Sequence, residues 1–205
     1  MAGIAVPQDD LLSAKILQAA LRLYLKHGLK KVTLEDVAKA IGKSRSVLYY
    51  YYKNKEEIFG AVLDKLIADI IAEITTAVNE ATTLEEKIKA YCRVKIKPPG
   101  DRKTLFRAME AGMNADEISR HAENMSLLHI RLMQAEKRLL KQILTAGNQS
   151  GAIRKLTRGE MDRLSFILQS GIRGVRREMA QQENDGKLEA TVAVFAGMVV
   201  RWLRP

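Results

Sequence analysis

The side chains best suited to chemistry with a polyanion are crowded into one stretch. Between positions 22 and 55 stand nine basic residues (Arg22, Lys26, Lys30, Lys31, Lys39, Lys43, Arg45, Lys53 and Lys55) and two acids (Glu35 and Asp36). That is a balance of +7 in 34 residues, whereas the other 171 residues carry 25 basic and 22 acidic side chains and hold only +3 of the net +10. Scattered lysines make a solvated face, but a compact basic patch is the footprint of a polyanion binder. Within the patch, Arg45 can grip a guanine edge through two parallel N–H groups, a contact worth ~1–3 kcal/mol of discrimination. Four consecutive tyrosines, Tyr49 to Tyr52, follow it and are four of the six in the chain. At ~100° per helical residue they spread around the helix and cannot share one role.

The local pattern says how these groups are held. Residues 33–52 read as helix, four-residue turn, helix. Thr33 is placed to cap the first helix. Ala38 is the small residue where two crossing helices touch, and Gly42 sits in the turn. Val37, Ile41, Val47 and Leu48 can clamp the second helix onto the first. The second helix then presents Ser44, Arg45 and Ser46 at its N-terminal end, the end that enters a major groove. Free N–H groups at that helix start, and at the next one near Lys55, can take phosphates.

Over residues 13–60 the chain resembles the N-terminal domain of TetR-family transcriptional regulators. The residues that carry the resemblance are Ile16, Leu17, Ala19, Ala20, Gly28, Thr33, Asp36, Ala38, Gly42, Ser44, Leu48, Tyr49, Tyr51, Lys55, Glu56 and Phe59. It implies that Arg45, Ser46 and Val47 read the groove, and that Tyr49, Tyr50 and Lys55 contact phosphates or bases. It implies a capping, phosphate-near role for Thr33, and mainly core roles for Tyr51 and Tyr52. With Lys43, Ser44 and Lys53 from the same patch, the candidate DNA-binding set is Thr33, Lys43, Ser44, Arg45, Ser46, Val47, Tyr49, Tyr50, Lys53 and Lys55. Three positions depart from the family pattern. Lys43 stands where an apolar residue is usual, so it must snorkel or reach DNA. Val47 replaces a usual hydroxyl residue and can touch a thymine methyl instead. Ile41 is larger than usual. The resemblance further implies a helix-turn-helix head over 1–54 and a helical body over 55–205. That body would dimerise and bind a small molecule, making a ligand-responsive repressor that holds a palindromic operator as a homodimer.

Composition and periodicity agree with a helical protein. Hydrophobic residues are 47% and charged residues 28%, with only 13 glycines and 4 prolines, an ordinary globular balance that disfavours turn-rich β folds. The single cysteine, Cys92, excludes an intramolecular disulfide and any multi-cysteine metal site. The N-terminus lacks the basic start of a signal peptide. The run Ala190–Val200 is uncharged for eleven residues, short of the roughly 20 that span a bilayer. The cytoplasm is the expected location. Apolar residues recur at three and four positions throughout, which predicts an all-α chain of about nine helices. Asp9 or Asp10 should cap the first and Gly28 end it. Asn54–Glu57, Thr83–Glu86 and Thr157–Glu160 read as capping boxes. A short helix is expected near Arg102–Ala111, and a long one over roughly Ile118–Ala146, ended by the stretch Gly147–Gly151.

The last two helices carry stripes at helical spacing: Met161, Leu164, Leu168 and Val175, then Leu188, Val192, Phe195, Val199 and Trp202. Ala190–Val200 is apolar on all sides, and such a helix needs cover on more than one side. A second copy would supply it as a four-helix interface about a two-fold axis; the alternative is a helix wholly internal to a monomer. For an effector pocket the candidates are Tyr91, Cys92, Phe106, Met109, Met113, Met125, His129 and Met133, in the middle helices where the resemblance puts a ligand. Methionine suits an adaptable cavity and is equally ordinary core filler. His121 can orient a polar ligand or lie on the surface. Arg173, Arg176 and Arg177 form a stripe that is either solvated or meets an acidic ligand. No His-Glu-x-x-His, P-loop or glycine-rich nucleotide motif is present, so no enzyme, cofactor or metal is expected. The rival classes are an architectural, nucleoid-associated DNA binder and a helical enzyme.

Overall fold

The structure, a computed structural model, describes residues 8–96, 113–182 and 187–205. The fold is all-α, with eight helices and no strand among the described residues: α1 (Gln8–His27), α2 (Leu34–Ala40), α3 (Arg45–Tyr51), α4 (Lys55–Asn79), α5 (Leu84–Ile96), α6 (Ala115–Ser150), α7 (Arg158–Gln182) and α8 (Leu188–Leu203). The short helix expected near 102–111 lies outside the described residues.

The helix ends are encoded locally. At α2 the Thr33 hydroxyl accepts from the Asp36 N–H at 3.2 Å, and the Asp36 carboxylate accepts from the Thr33 N–H at 2.9 Å. Thr83 and Glu86 repeat this reciprocal box before α5, and Thr157 and Glu160 before α7. At α4 the box is shifted by one residue: Asn54 Oδ1 accepts from the Glu57 N–H at 2.8 Å, but the Glu57 carboxylate takes the Lys53 N–H at 2.7 Å. Gly28 closes α1 with φ 82°, a conformation that costs glycine no Cβ clash.

Two boundaries differ from the sequence reading. The first helix, Gln8–His27, already includes Asp9 and Asp10, so neither stands before it as a cap. The long helix does not stop at Ala146. It continues to Ser150, with Gly147 buried and Ile153 Cδ1 3.3 Å from the point its Cβ would occupy. The terminator is Gly151, whose φ is 72°.

The described residues form two compact units, and α4 and α6 each contribute to both. The first unit draws on Met1–Ile67 and Pro99–Leu128. Its core joins Ile16, Ala19, Ala20 and Tyr24 of α1 to Val37 and Ala38 of α2, Leu48 of α3, and Ile58, Phe59, Val62 and Leu63 of α4. Tyr24 meets Phe59 edge-on, with ring centres 6.0 Å apart. His121 is buried beside Phe59.

The second unit draws on Ala68–Pro98 and His129–Pro205. Ile88, Tyr91, Cys92 and Ile96 of α5 pack with Leu140 and Leu144 of α6, Leu168 and Ile172 of α7, and Val192, Ala196 and Leu203 of α8. Burying each large apolar side chain contributes ~1.5–3 kcal/mol. The stripes singled out in α7 and α8 mostly serve this core. Met161, Leu164, Leu168 and Val192 are buried, and Val175, Leu188, Phe195 and Val199 pack partly buried against them. They face their own subunit because the α7–α8 pair must cover α5. The large apolar side chains left exposed are their neighbours: Phe166 (58%), Ile167 (62%), Val194 (65%) and Met198 (67%), with Trp202 (48%).

Candidate nucleic-acid interface

The turn between α2 and α3 is closed by three backbone bonds. The N–H groups of Ile41 and Lys43 donate to the Ala38 carbonyl at 3.2 and 3.0 Å, and Gly42 donates to the Lys39 carbonyl at 3.1 Å. Gly42 adopts φ 65°, the left-handed conformation the turn requires. Below the turn Val37, Ala38 and Leu48 are buried, and Val47 is half-buried. This anchoring leaves Lys43, Ser44, Arg45 and Ser46 as an exposed run at the start of α3. Lys43, apolar in the family pattern, is thus solvent-facing. Ser44 is the N-cap residue by its backbone but makes no side-chain capping bond.

The Arg45 guanidinium donates to the Tyr49 hydroxyl at 2.9 Å, and this bond raises its pKa above the usual arginine value. Tyr49 and Tyr50 are exposed, Tyr50 the more so at 79%. Tyr51 and Tyr52 are half-buried and pack against the head core, with the Tyr52 hydroxyl 3.2 Å from Ser13 Oγ. The four tyrosines therefore divide into two exposed donors and two wedges. Beside them lies an open pocket of about 400 Å³ whose lining includes Lys30, Thr33, Arg45, Tyr49, Lys53 and Lys55. Its cations belong to loops and helix starts, the places where a phosphate is best held. Sequence reasoning counted Lys30 in the basic patch but left it out of the contact set. Its signal was the charge cluster itself.

The ligand candidates separate. Met125 packs against the core of the first unit, and Met113 also belongs to that unit. Phe106 and Met109 lie outside the described residues. Tyr91, Cys92, His129 and Met133 belong to the second unit. Burial pushes the Cys92 thiol up to about 12, so it is a core residue without nucleophilic character. The Tyr91 hydroxyl donates to Glu136 Oε2 at 3.0 Å, and Lys95 Nζ lies 2.5 Å from Glu136 Oε1. Gln169 Nε2 donates to the Met133 carbonyl at 2.7 Å. Arg173 contacts His129 Nε2, Met133 Sδ and Ser170 Oγ. Glu136, Lys95 and Gln169 were not singled out from sequence. Among the described residues no group of three His, Cys, Asp or Glu side chains is arranged to hold a metal ion. No helix among them is long and apolar enough to cross a membrane.

The first unit thus packs a helix-turn-helix and exposes the cationic start of its second helix. Residues 16–62 match the model of the family described as bacterial regulatory proteins, tetR family. The chain is 40% identical over 53 residues to the HTH-type transcriptional regulator TtgR of Pseudomonas putida, covering 26% of this chain and 25% of that protein. It is 33% identical over 60 residues to the nucleoid occlusion factor SlmA of Pasteurella multocida, covering 29% and 30% respectively. The chain thus aligns with about a quarter of the length of TtgR and under a third of SlmA. In fold the likeness extends further. The transcriptional regulator FadR from Bacillus subtilis, solved in complex with stearoyl-CoA, superposes with a TM-score of 0.60 at 18% identity over 91% of this chain and 97% of that one.

Proposed function

We propose that this chain is a ligand-responsive transcriptional repressor that binds a palindromic operator as a homodimer. The observation that carries the reading is the exposed Ser44–Arg45–Ser46 start of α3, set beside a pocket whose lining includes Lys30, Arg45, Lys53 and Lys55. Arg45 reads a base edge and the lysines hold the flanking phosphates.

A second copy is the occupant that suits the apolar face of α7 and α8. Val194, Met198 and Trp202 recur every four residues along α8, and Phe166 and Ile167 stand exposed on α7 of the same unit. Gly174 and Gly197 in these helices have open space where a Cβ would stand. A two-fold pairing of such a face is self-complementary. It also gives the two heads that a palindrome with half-sites ~34–36 Å apart requires. Regulation by a ligand is supported by the fold neighbour solved with stearoyl-CoA. In this reading a ligand acts only through its different affinity for the DNA-competent and DNA-incompetent forms.

In vitro selection of bound duplexes, followed by salt-titrated binding to the selected site, tests the proposal. A palindromic site, two chains per site and a preference of ~10³ or more over random duplex support it. Binding without sequence preference overturns it in favour of the architectural reading, for which the match to a nucleoid occlusion factor is the supporting observation.

A further inference from the structure

In the second unit, Arg173 of α7 is an exposed cation whose hydrogen-bond partners are all neutral. Its Nη1 contacts His129 Nε2 and Met133 Sδ, and its Nη2 donates to Ser170 Oγ at 3.2 Å. Guanidinium nitrogens only donate, so His129 Nε2 must be the acceptor and the ring is neutral. Burial, reinforced by Arg173, holds the His129 pKa below its usual value and so keeps it neutral. The carboxylate of this cluster is committed elsewhere. Glu136 is buried and receives the Tyr91 hydroxyl on one oxygen and the Lys95 ammonium on the other. Lys95 and Glu136 therefore cancel, and the cluster is left with one uncompensated positive charge on Arg173.

The donors still open on Arg173 have the geometry that suits an acid. Among the described residues its Nε–H and one of the two Nη2 N–H groups have no partner. Nε and Nη2 are the two nitrogens of the side edge of the guanidinium fork, the edge that grips a carboxylate with two parallel bonds. The chain already uses it once: Arg93 holds Glu189 through Nε at 2.7 Å and Nη2 at 2.8 Å. Arg173 is itself exposed, and its Nη1 lies against the partly buried thioether of Met133.

We propose that Arg173 is the anchor for the acidic group of an apolar organic acid, and that such an acid is the effector class of this chain. The proposal rests on the ligand-responsive reading above. The acid would replace water on the open edge while its apolar part lies against the α6–α7 seam near Met133. His129 holds Nη1 and Ser170 holds Nη2, so the guanidinium is oriented before the ligand arrives.

The test uses two fluorescent probes of matched shape on the full-length chain. 1-Anilinonaphthalene-8-sulfonate carries an anionic group in place of the acid, and N-phenyl-1-naphthylamine is the same skeleton without it. The anionic probe should bind the unaltered protein more tightly than the neutral one. Arg173→Gln should weaken the anionic probe about ten-fold or more, the size of effect that losing a charged hydrogen bond produces. It should leave the neutral probe unchanged, which also reports that the fold is intact. Arg173→Lys should recover part of the loss, and Arg158→Gln on the same helix should change neither probe. Equal binding of the anionic probe to the unaltered protein and Arg173→Gln overturns the anchor and leaves a neutral-ligand repressor standing. Failure of both probes to bind the unaltered protein overturns the anchor and the ligand-responsive reading together.

Discussion

Arg45 and Tyr49, one turn apart on α3, hold each other twice: by a 2.9 Å hydrogen bond and by stacking of the guanidinium 5.2 Å from the ring centre. The cation is thereby held in place at the exposed start of α3. Tyr49→Phe keeps the ring and removes the hydroxyl, so operator affinity should fall by a few-fold. Arg45→Ala should cost ~1–3 kcal/mol at one base position of each half-site and relax preference there. Fluorescence anisotropy with the selected operator and single-base variants measures both. Unchanged base preference in Arg45→Ala would show that another residue reads the groove.

Lys55 and Lys53 should behave differently from Arg45. Under the proposed function Lys55 holds a phosphate, so Lys55→Ala should weaken all sequences alike and lower the slope of log affinity against log salt by about one. A loss confined to one base position would contradict the phosphate role.

The apolar face of α7 and α8 predicts a separable oligomer defect. Phe166→Glu combined with Met198→Glu places charge on two exposed positions. The chain should stay folded by circular dichroism and sediment as a monomer at micromolar concentration, with operator affinity reduced. Phe195→Glu should instead unfold the body, because Phe195 packs against its own core. A dimer that survives the double substitution places the interface elsewhere.

Two glycine substitutions should have opposite signs. Nothing stands within 4 Å of the Cβ position at Gly60, so Gly60→Ala should stabilise the chain by up to ~1 kcal/mol through helix propensity. At Gly171 the Cβ would meet the Phe195 ring at 2.8 Å, and Gly171→Ala should destabilise by ~1–3 kcal/mol as the ring is displaced. Urea midpoints at constant slope report the difference.

Acid should weaken the chain through its helix boxes. Hydrogen bonds from the Thr157 backbone and side chain and from Arg154 hold Glu160 at about 2, and the Thr83 and Thr82 bonds do the same for Glu86. Both pKa values are depressed on folding, so their contribution is present above the normal carboxylate range and disappears as pH falls toward 2. Thermal midpoints should drop between pH 5 and pH 2, and Glu160→Gln should flatten that drop.

What the sequence made legible was local. Thr33–Asp36, Thr83–Glu86 and Thr157–Glu160 are read within four residues, and so are Gly28 and the turn at Gly42. The reading head is equally local, since Arg45 and Tyr49 stand on one helix. The dimer stripe was harder because a helical repeat shows that a face is buried, not what buries it. Leu164 and Leu168 satisfy the repeat by meeting their own core, while Phe166 and Ile167 stay exposed. Glu136 was illegible for a different reason. It is a carboxylate in a charged helix, and the partners that make it a buried acceptor lie 45 and 41 positions away. The stretch Gly147–Gly151 was legible as the end of the long helix, but which of its two glycines turns the chain was not, until the backbone shows Gly151 as the left-handed one.

The reciprocal threonine–carboxylate boxes at the starts of α2, α5 and α7 have a consequence for how such a chain diversifies. Each start is set by residues that face solvent, so it is insulated from whatever lies on the inward side of the helix. Substitutions at inward positions near Met133 or Tyr91 can then accumulate without shifting where a helix begins. Under the proposed function, the body could then drift toward new small molecules while the head keeps its register on DNA, and gene duplication could retune response and address separately.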